Sequence, residues 1–247
     1  MIRPAHAWLP VVALLAACAS APTPLGTGLR LPTSFATAFP VDASPGGWQT
    51  YRLLRFKTPT KYELVKDGDA LVVHAHAVSS VSGIQQPVSI DLRKLPIATW
   101  RWRVPKLIPD ADNDVPSYAD SPARVVFQFE GGRERLPPSE QITFDLALAI
   151  TGNRMPYATI MYIWEPNRAI GEILTHYNST RVKMIVAANS ERSLDRWHTE
   201  RVNLFDDYRR AFGEEPPRVN AVGIMTDSDN TGTVIDAYYG DITFQAR

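Results

Sequence analysis

The amino-acid sequence predicts an all-β protein, an antiparallel β-sandwich with two short helices, on three observations. Short runs rich in aromatic and β-branched residues recur along the chain with Pro, Gly and Asp between them, which is the pattern of a sandwich or barrel. Helical spacing is confined to two segments, and these do not alternate with the strand-like runs as a parallel α/β sheet requires. A chain of 247 residues that is 45% hydrophobic and 21% charged can bury a sizeable core, and all-β sandwiches commonly reach this size as one domain.

The elements follow in order. "MIRPAHAWLPVVALLAACAS" has Arg3, an apolar run from Trp8 to Ala17 and then small residues. That is the make-up of a secretory signal, and the run is too short to span a bilayer. Residues 1–17 are therefore expected to be a signal peptide, with the single cysteine, Cys18, directly after it. "ASAPTPLGTGLRLPTS" carries no apolar period, so residues 18–40 are expected to be a flexible tether and residues 41–247 one domain. Strands are predicted over residues 48–56, 70–78, 87–92, 98–104, 123–130, 157–164, 173–178, 182–188, 197–203, 219–226 and 234–245. "PPSEQITFDLALAITG" predicts a helix with Ser139 as N-cap, Glu140 in the first turn and Gly152 as its stop. "NLFDDYRRAFGEEPP" predicts another, with Leu204, Phe205, Tyr208 and Phe212 on one face and Gly213 and Pro216 ending it. The closing "VGIMT", "DSDNTG" and "IDAYYGDITF" read as a hairpin of core strand, tight turn and final strand.

Lys plus Arg and Asp plus Glu each number 26. With no net field to draw in a polyanion, nucleic acid is not an expected partner. The chain has no Gly-x-Ser-x-Gly elbow, no second Cys and no His-Glu-x-x-His motif, so no catalytic residue is assigned and a non-enzymatic role is favoured. Paired carboxylates such as Glu165 with Asp227 or Asp241 keep a hydrolase as the alternative.

"TWRWRVP" alternates Trp100 and Trp102 with Arg101 and Arg103. Buried tryptophans are favoured over exposed, sugar-stacking ones. Arg101 and Arg103 then face the other way and, with Trp197, are candidate ligand-binding residues. In "PDADNDVPSYADSPARV" a solvated acidic loop is favoured over a calcium loop, because the Gly and distal Glu of an EF-hand are missing. "VVHAHAV" sets His74 and His76 on one face of a strand at a spacing that suits two transition-metal ligands. No third ligand can be named, and half-exposed edge-strand histidines are the favoured reading. Asp227, Asp229, Asn230 and Asp241 are candidate ligand-binding residues and, as hard oxygens, candidate ligands of calcium, the one cofactor suggested. A structural turn in which Asp227 and Asn230 bond turn amides is the favoured reading over a metal or ligand site. Asp236 receives no role.

Two resemblances add to this. "LAAC" resembles the bacterial lipobox; that implies cleavage before Cys18, a diacylglycerol thioether on its sulfur and an acylated N-terminus, hence a membrane anchor. Ala19 rather than an aspartate after the Cys implies, by resemblance to enteric lipoproteins, the outer membrane rather than the inner. "TWRWRVP", "DSPARVVFQF", "MPYATIMYIW", "RWHTERVNLFDDYRRAFGEEPP", "VGIMTDSDNTG" and "AYYGDITF", in this order, resemble bacterial domain-of-unknown-function family 3047 over most of residues 46–245. The resemblance implies an exported or lipid-anchored envelope protein without an assigned activity, with small residues at the positions of His74 and His76. "YYGDITF" is also similar to the last strand of galactose-binding-like and carbohydrate-binding jelly rolls, which would make the sandwich a jelly roll. The expected function is that of a lipid-anchored protein facing the periplasm that binds a glycan or another small polar ligand. The alternatives are an envelope hydrolase of polysaccharide or peptidoglycan with an Asp/Glu pair, and a scaffold for another envelope protein.

Overall fold

The computed structural model describes residues 28–247 except 45, 55, 152 and 153. The expected signal peptide, Cys18 and the first part of the tether lie outside the described residues. The strands are β1 Gln49–Tyr51, β2 Lys61–Asp67, β3 Ala70–Val78, β4 Val81–Ile90, β5 Ile97–Arg103, β6 Ser121–Phe129, β7 Ala158–Trp164, β8 Ile173–Thr175, β9 Val182–Ala188, β10 His198–Asn203, β11 Val219–Asp227, β12 Val234–Tyr239 and β13 Thr243–Gln245. Helix α1 spans Pro138–Thr151 and helix α2 spans Leu204–Phe212. They form a β-sandwich. One sheet has the order β1-β4-β11-β6-β7-β9-β8 and the other β10-β5-β12-β3-β2, with β13 also on β5. Every pair is antiparallel except β7 with β9.

Alternation on β5 explains the core. Trp100 and Trp102 are buried with Ala98 between the sheets, while Thr99, Arg101 and Arg103 face outward. Trp100 meets Tyr162 at 5.0 Å and Phe127 at 6.1 Å, and Trp102 meets Trp164 at 5.7 Å. The tryptophans are thus core residues, as the sequence favoured. Helix α2 closes one end of the sandwich: Asn203 caps it by accepting from the Asp206 amide at 3.2 Å, Gly213 ends it at φ 70°, and Tyr208 packs on Phe129 at 4.5 Å.

Four details differ from the sequence reading. Strand β2 was not foreseen, because "KYELVKD" is a charged strand at the edge of its sheet, where charge blunts further pairing. The last strand is broken, since after β12 the chain turns at residues 240–242 before β13 resumes along β5. A Cβ on Gly240 would lie 2.5 Å from Arg101 Cγ, so only glycine lets the chain pass there. Part of the expected tether is docked: Arg30 bridges Ser89, and Phe35 is fully buried against Trp48 at 4.5 Å. Two phenylalanines, Phe35 and Phe39, anchor this Pro/Thr/Ala-rich stretch on the core, a signal that composition averages away.

The fourth difference concerns the expected hairpin. β11 belongs to the seven-stranded sheet and β12 to the six-stranded one, so residues 228–233 cross between sheets. The β3–β4 connection crosses beside it. The two are joined by Ser79 N to Thr233 O at 2.9 Å and Ser228 N to Ser80 O at 3.1 Å.

Candidate functional site

Two groups of polar side chains stand out: a carboxylate cluster at the sheet crossing and the outer face of the six-stranded sheet.

At the crossing, Asp120, just before β6, accepts from the Asn230 amide at 3.2 Å, Asn230 Nδ2 at 3.1 Å, the Thr231 amide at 2.7 Å and Thr231 Oγ1 at 2.6 Å. Its carboxylate takes the place of missing backbone partners in the turn. Asp227 is buried and paired with the buried guanidinium of Arg124 at 3.1 Å, and Asp229 is paired with Lys57. Carboxylate oxygens of Asp120, Asp227 and Asp229 lie within 4.8 Å of one another. Burial would raise Asp120, but bonds from Thr231, from the Asp227 carboxyl and from the turn amides outweigh it and hold Asp120 below its ordinary value. Burial, with Asp120 and Asp229 adding to it against Arg124, pushes Asp227 well above the carboxylate range. The two neighbouring carboxyls are therefore shifted in opposite directions.

The four expected calcium ligands do not converge as a set. Asp227 and Asp229 meet, Asn230 offers donors to Asp120, and Asp241 lies on the other sheet, where its Oδ1 accepts from the Phe35 amide at 2.7 Å. Asp120, which sequence reasoning had left in the acidic loop, is the residue that organises the turn. The rest of that loop is exposed at Asp110 and Asp114, as expected of a solvated acidic loop, and is also clamped: Arg168 pairs with Asp112 at 2.8 Å and Asp114 at 2.7 Å. Glu165 is fully buried, bonded by Asn113, and shares no bond with Asp227 or Asp241 among the described residues.

On the outer face, the three other ligand candidates do come together. Arg101 lies over the Trp197 ring at 4.5 Å and Arg103 at 5.6 Å, while the Trp197 indole N–H donates to Asp67 at 2.6 Å. Arg103 also stacks on Tyr238 at 4.1 Å and is neutralised by Asp67 at 3.6 Å and Asp195 at 3.3 Å. Arg101 has no salt bridge among the described residues. It lines a depression of about 360 Å³ with Asp241, Thr99, Thr199, Thr243 and Ser34, where β12 leaves the sheet. Thr99 Oγ1 there is buried with no hydrogen-bond partner.

Further along the same face, His74 Nε2 and His76 Nδ1 both reach Asp236 Oδ1, at 2.8 and 2.9 Å. Strand pairing sets His76 opposite Asp236 and His74 opposite Tyr238, which it stacks on at 4.7 Å. Sequence reasoning missed Asp236. Its outward parity on β12 was legible, but the partner strand was not.

These features define a β-sandwich domain with a polar and aromatic outer face and a buried carboxylate cluster. The chain belongs to the family of proteins of unknown function DUF3047, whose model matches residues 46–243. No curated protein matches it. Among solved structures it is similar to the xyloglucanase domain of NopAA, a type three effector from Sinorhizobium fredii in complex with cellobiose, with 7% identity, 83% of this chain and 96% of that chain covered, and a TM-score of 0.43. It is also similar to the family 11 xylanase from Neocallimastix patriciarum, with 8% identity, 82% and 94% covered, and a TM-score of 0.35. At these scores the likeness carries no argument about a site or a substrate.

Proposed function

We propose that this protein is a lipid-anchored, periplasm-facing envelope protein that binds a glycan or another small polar ligand on the outer face of its six-stranded sheet. The anchor on Cys18 and the outer-membrane destination rest on the lipobox resemblance. The observation that carries the binding reading is Arg101. It makes no salt bridge among the described residues and is stacked on Trp197, at the edge of a depression lined by Asp241, Thr199 and Thr243. A fixed planar donor, an aromatic ring and several hydroxyls suit a polyhydroxylated ligand, and about 300–1,000 Å³ is the usual size of a small-molecule site. Arg103, already paired twice, acts here as a support for Trp197.

The test is a glycan array probed with the full chain, with and without calcium. Binding to a discrete set of glycans is expected, with Arg101→Ala weakening it by at least ~10-fold, about 1.4 kcal/mol, at unchanged melting temperature. No binding under either condition overturns the reading. One observation favours the hydrolase alternative: the opposed pKa shifts of the neighbouring Asp120 and Asp227 are the pattern of an acid and base pair. Both are buried at the sheet crossing, which is why binding is preferred. Release of reducing sugars from cell-wall polysaccharide, abolished by Asp227→Asn, would reverse that order.

A further inference from the structure

We propose that His74, His76 and Asp236 bind a divalent first-row transition-metal ion of the zinc type. Nε2 of His74, Nδ1 of His76 and Oδ1 of Asp236 all lie within 4.8 Å of one another. Both ring nitrogens are aimed at the same carboxylate oxygen, at 2.8 and 2.9 Å. Ligands of a tetrahedral zinc with bonds of about 2.0–2.2 Å stand roughly 3.3 Å apart, so small side-chain rotations convert these contacts into three bonds to one ion. The strands supply the rigidity: the histidines alternate on β3, and Asp236 is paired across from His76 on β12. His74 is further held by its stack on Tyr238, which in turn lies under Arg103.

Two imidazoles and one carboxylate select zinc, cobalt, nickel or copper over calcium and magnesium, which prefer oxygen alone. Three protein ligands on a solvent-facing strand pair leave a coordination position open to water or to a ligand's oxygen. The carboxylate cluster at the sheet crossing differs in kind, because Lys57 and Arg124 already balance it. The site lies outside the depression at Arg101 and does not depend on the glycan reading.

The full chain, stripped with chelator and dialysed against zinc, is expected to bind one zinc ion per chain. His74→Ala, His76→Ala and Asp236→Asn should each weaken binding by on the order of 100-fold, while the metal-free variants melt as the metal-free parent does. Should a variant fail to fold, the unaltered chain loaded with cobalt decides: visible d–d absorption without a thiolate charge-transfer band is expected. The proposal is overturned by no zinc uptake, by uptake unchanged in the three variants, by loss only in Asp229→Asn or Cys18→Ser, or by a cobalt spectrum with thiolate absorption.

Discussion

Asp227 and Asp229 sit two positions apart with equally buried side chains, and the burial of their partners makes them unequal. Asp227 faces the buried Arg124, whereas Asp229 meets Lys57, which is a third exposed. Removing one partner of a buried pair strands the other charge, at a cost of about 3–5 kcal/mol. Removing Asp229 leaves Lys57, whose partly exposed ammonium can turn to water, at a cost of about 0–1 kcal/mol. Urea denaturation is thus expected to show Asp227→Ala strongly destabilised and Asp229→Ala close to the parent. His176 makes a second residue-scale prediction. Burial, with Arg124 nearby, lowers it from 6.5 to about 4. A lowered folded value means that the unfolded chain binds more protons, so its contribution is complete above pH 6.5 and is lost as pH falls toward 4. His176→Gln should flatten the decline of melting temperature between those two values.

At the scale of elements, the sequence was legible where periodicity and caps are local. Gly213 ends α2 as read, and the aromatic alternation of β5 sets its buried face as read. It was illegible where a decision depends on distant partners. The start of β4 is polar, with Ser82 and Gln86, yet buried, because β1 and β11 flank it on both sides. The turn at residues 228–233 looks like a hairpin until its two strands are assigned to different sheets. The convergence of His74, His76 and Asp236 likewise required the pairing of β3 with β12. Of the ligand candidates, Arg101 and Trp197 were legible by face and aromaticity, but which arginine stays free was set by Asp67 and Asp195. Helix α1 shows the limit of an apolar pattern: Ile142, Leu146 and Ile150 are exposed. Leu146→Ser is accordingly expected to change unfolding free energy by no more than about 0.5 kcal/mol, measured by the same denaturation.

For the whole molecule, the aromatic layer between the sheets is the main source of cohesion. Trp102 touches Trp100 and Trp164 across it, and its indole N–H donates to Glu200 at 3.3 Å. Trp102→Ala leaves a cavity and takes the indole donor from the buried Glu200, a loss of about 3–5 kcal/mol against a total of about 5–15 kcal/mol. Near-ultraviolet circular dichroism should show its tertiary signal fading at lower temperature than the parent's. The stitched crossings at Ser79–Thr233 and Ser80–Ser228 have a kinetic meaning too. Ser80 and Ser228 are 148 positions apart, and closing so long a loop comes late in folding. Until β11 and β12 have been made each sheet also lacks a middle strand, β11 between β4 and β6 and β12 between β5 and β3, so the earlier strands wait unlatched for the segment that joins them.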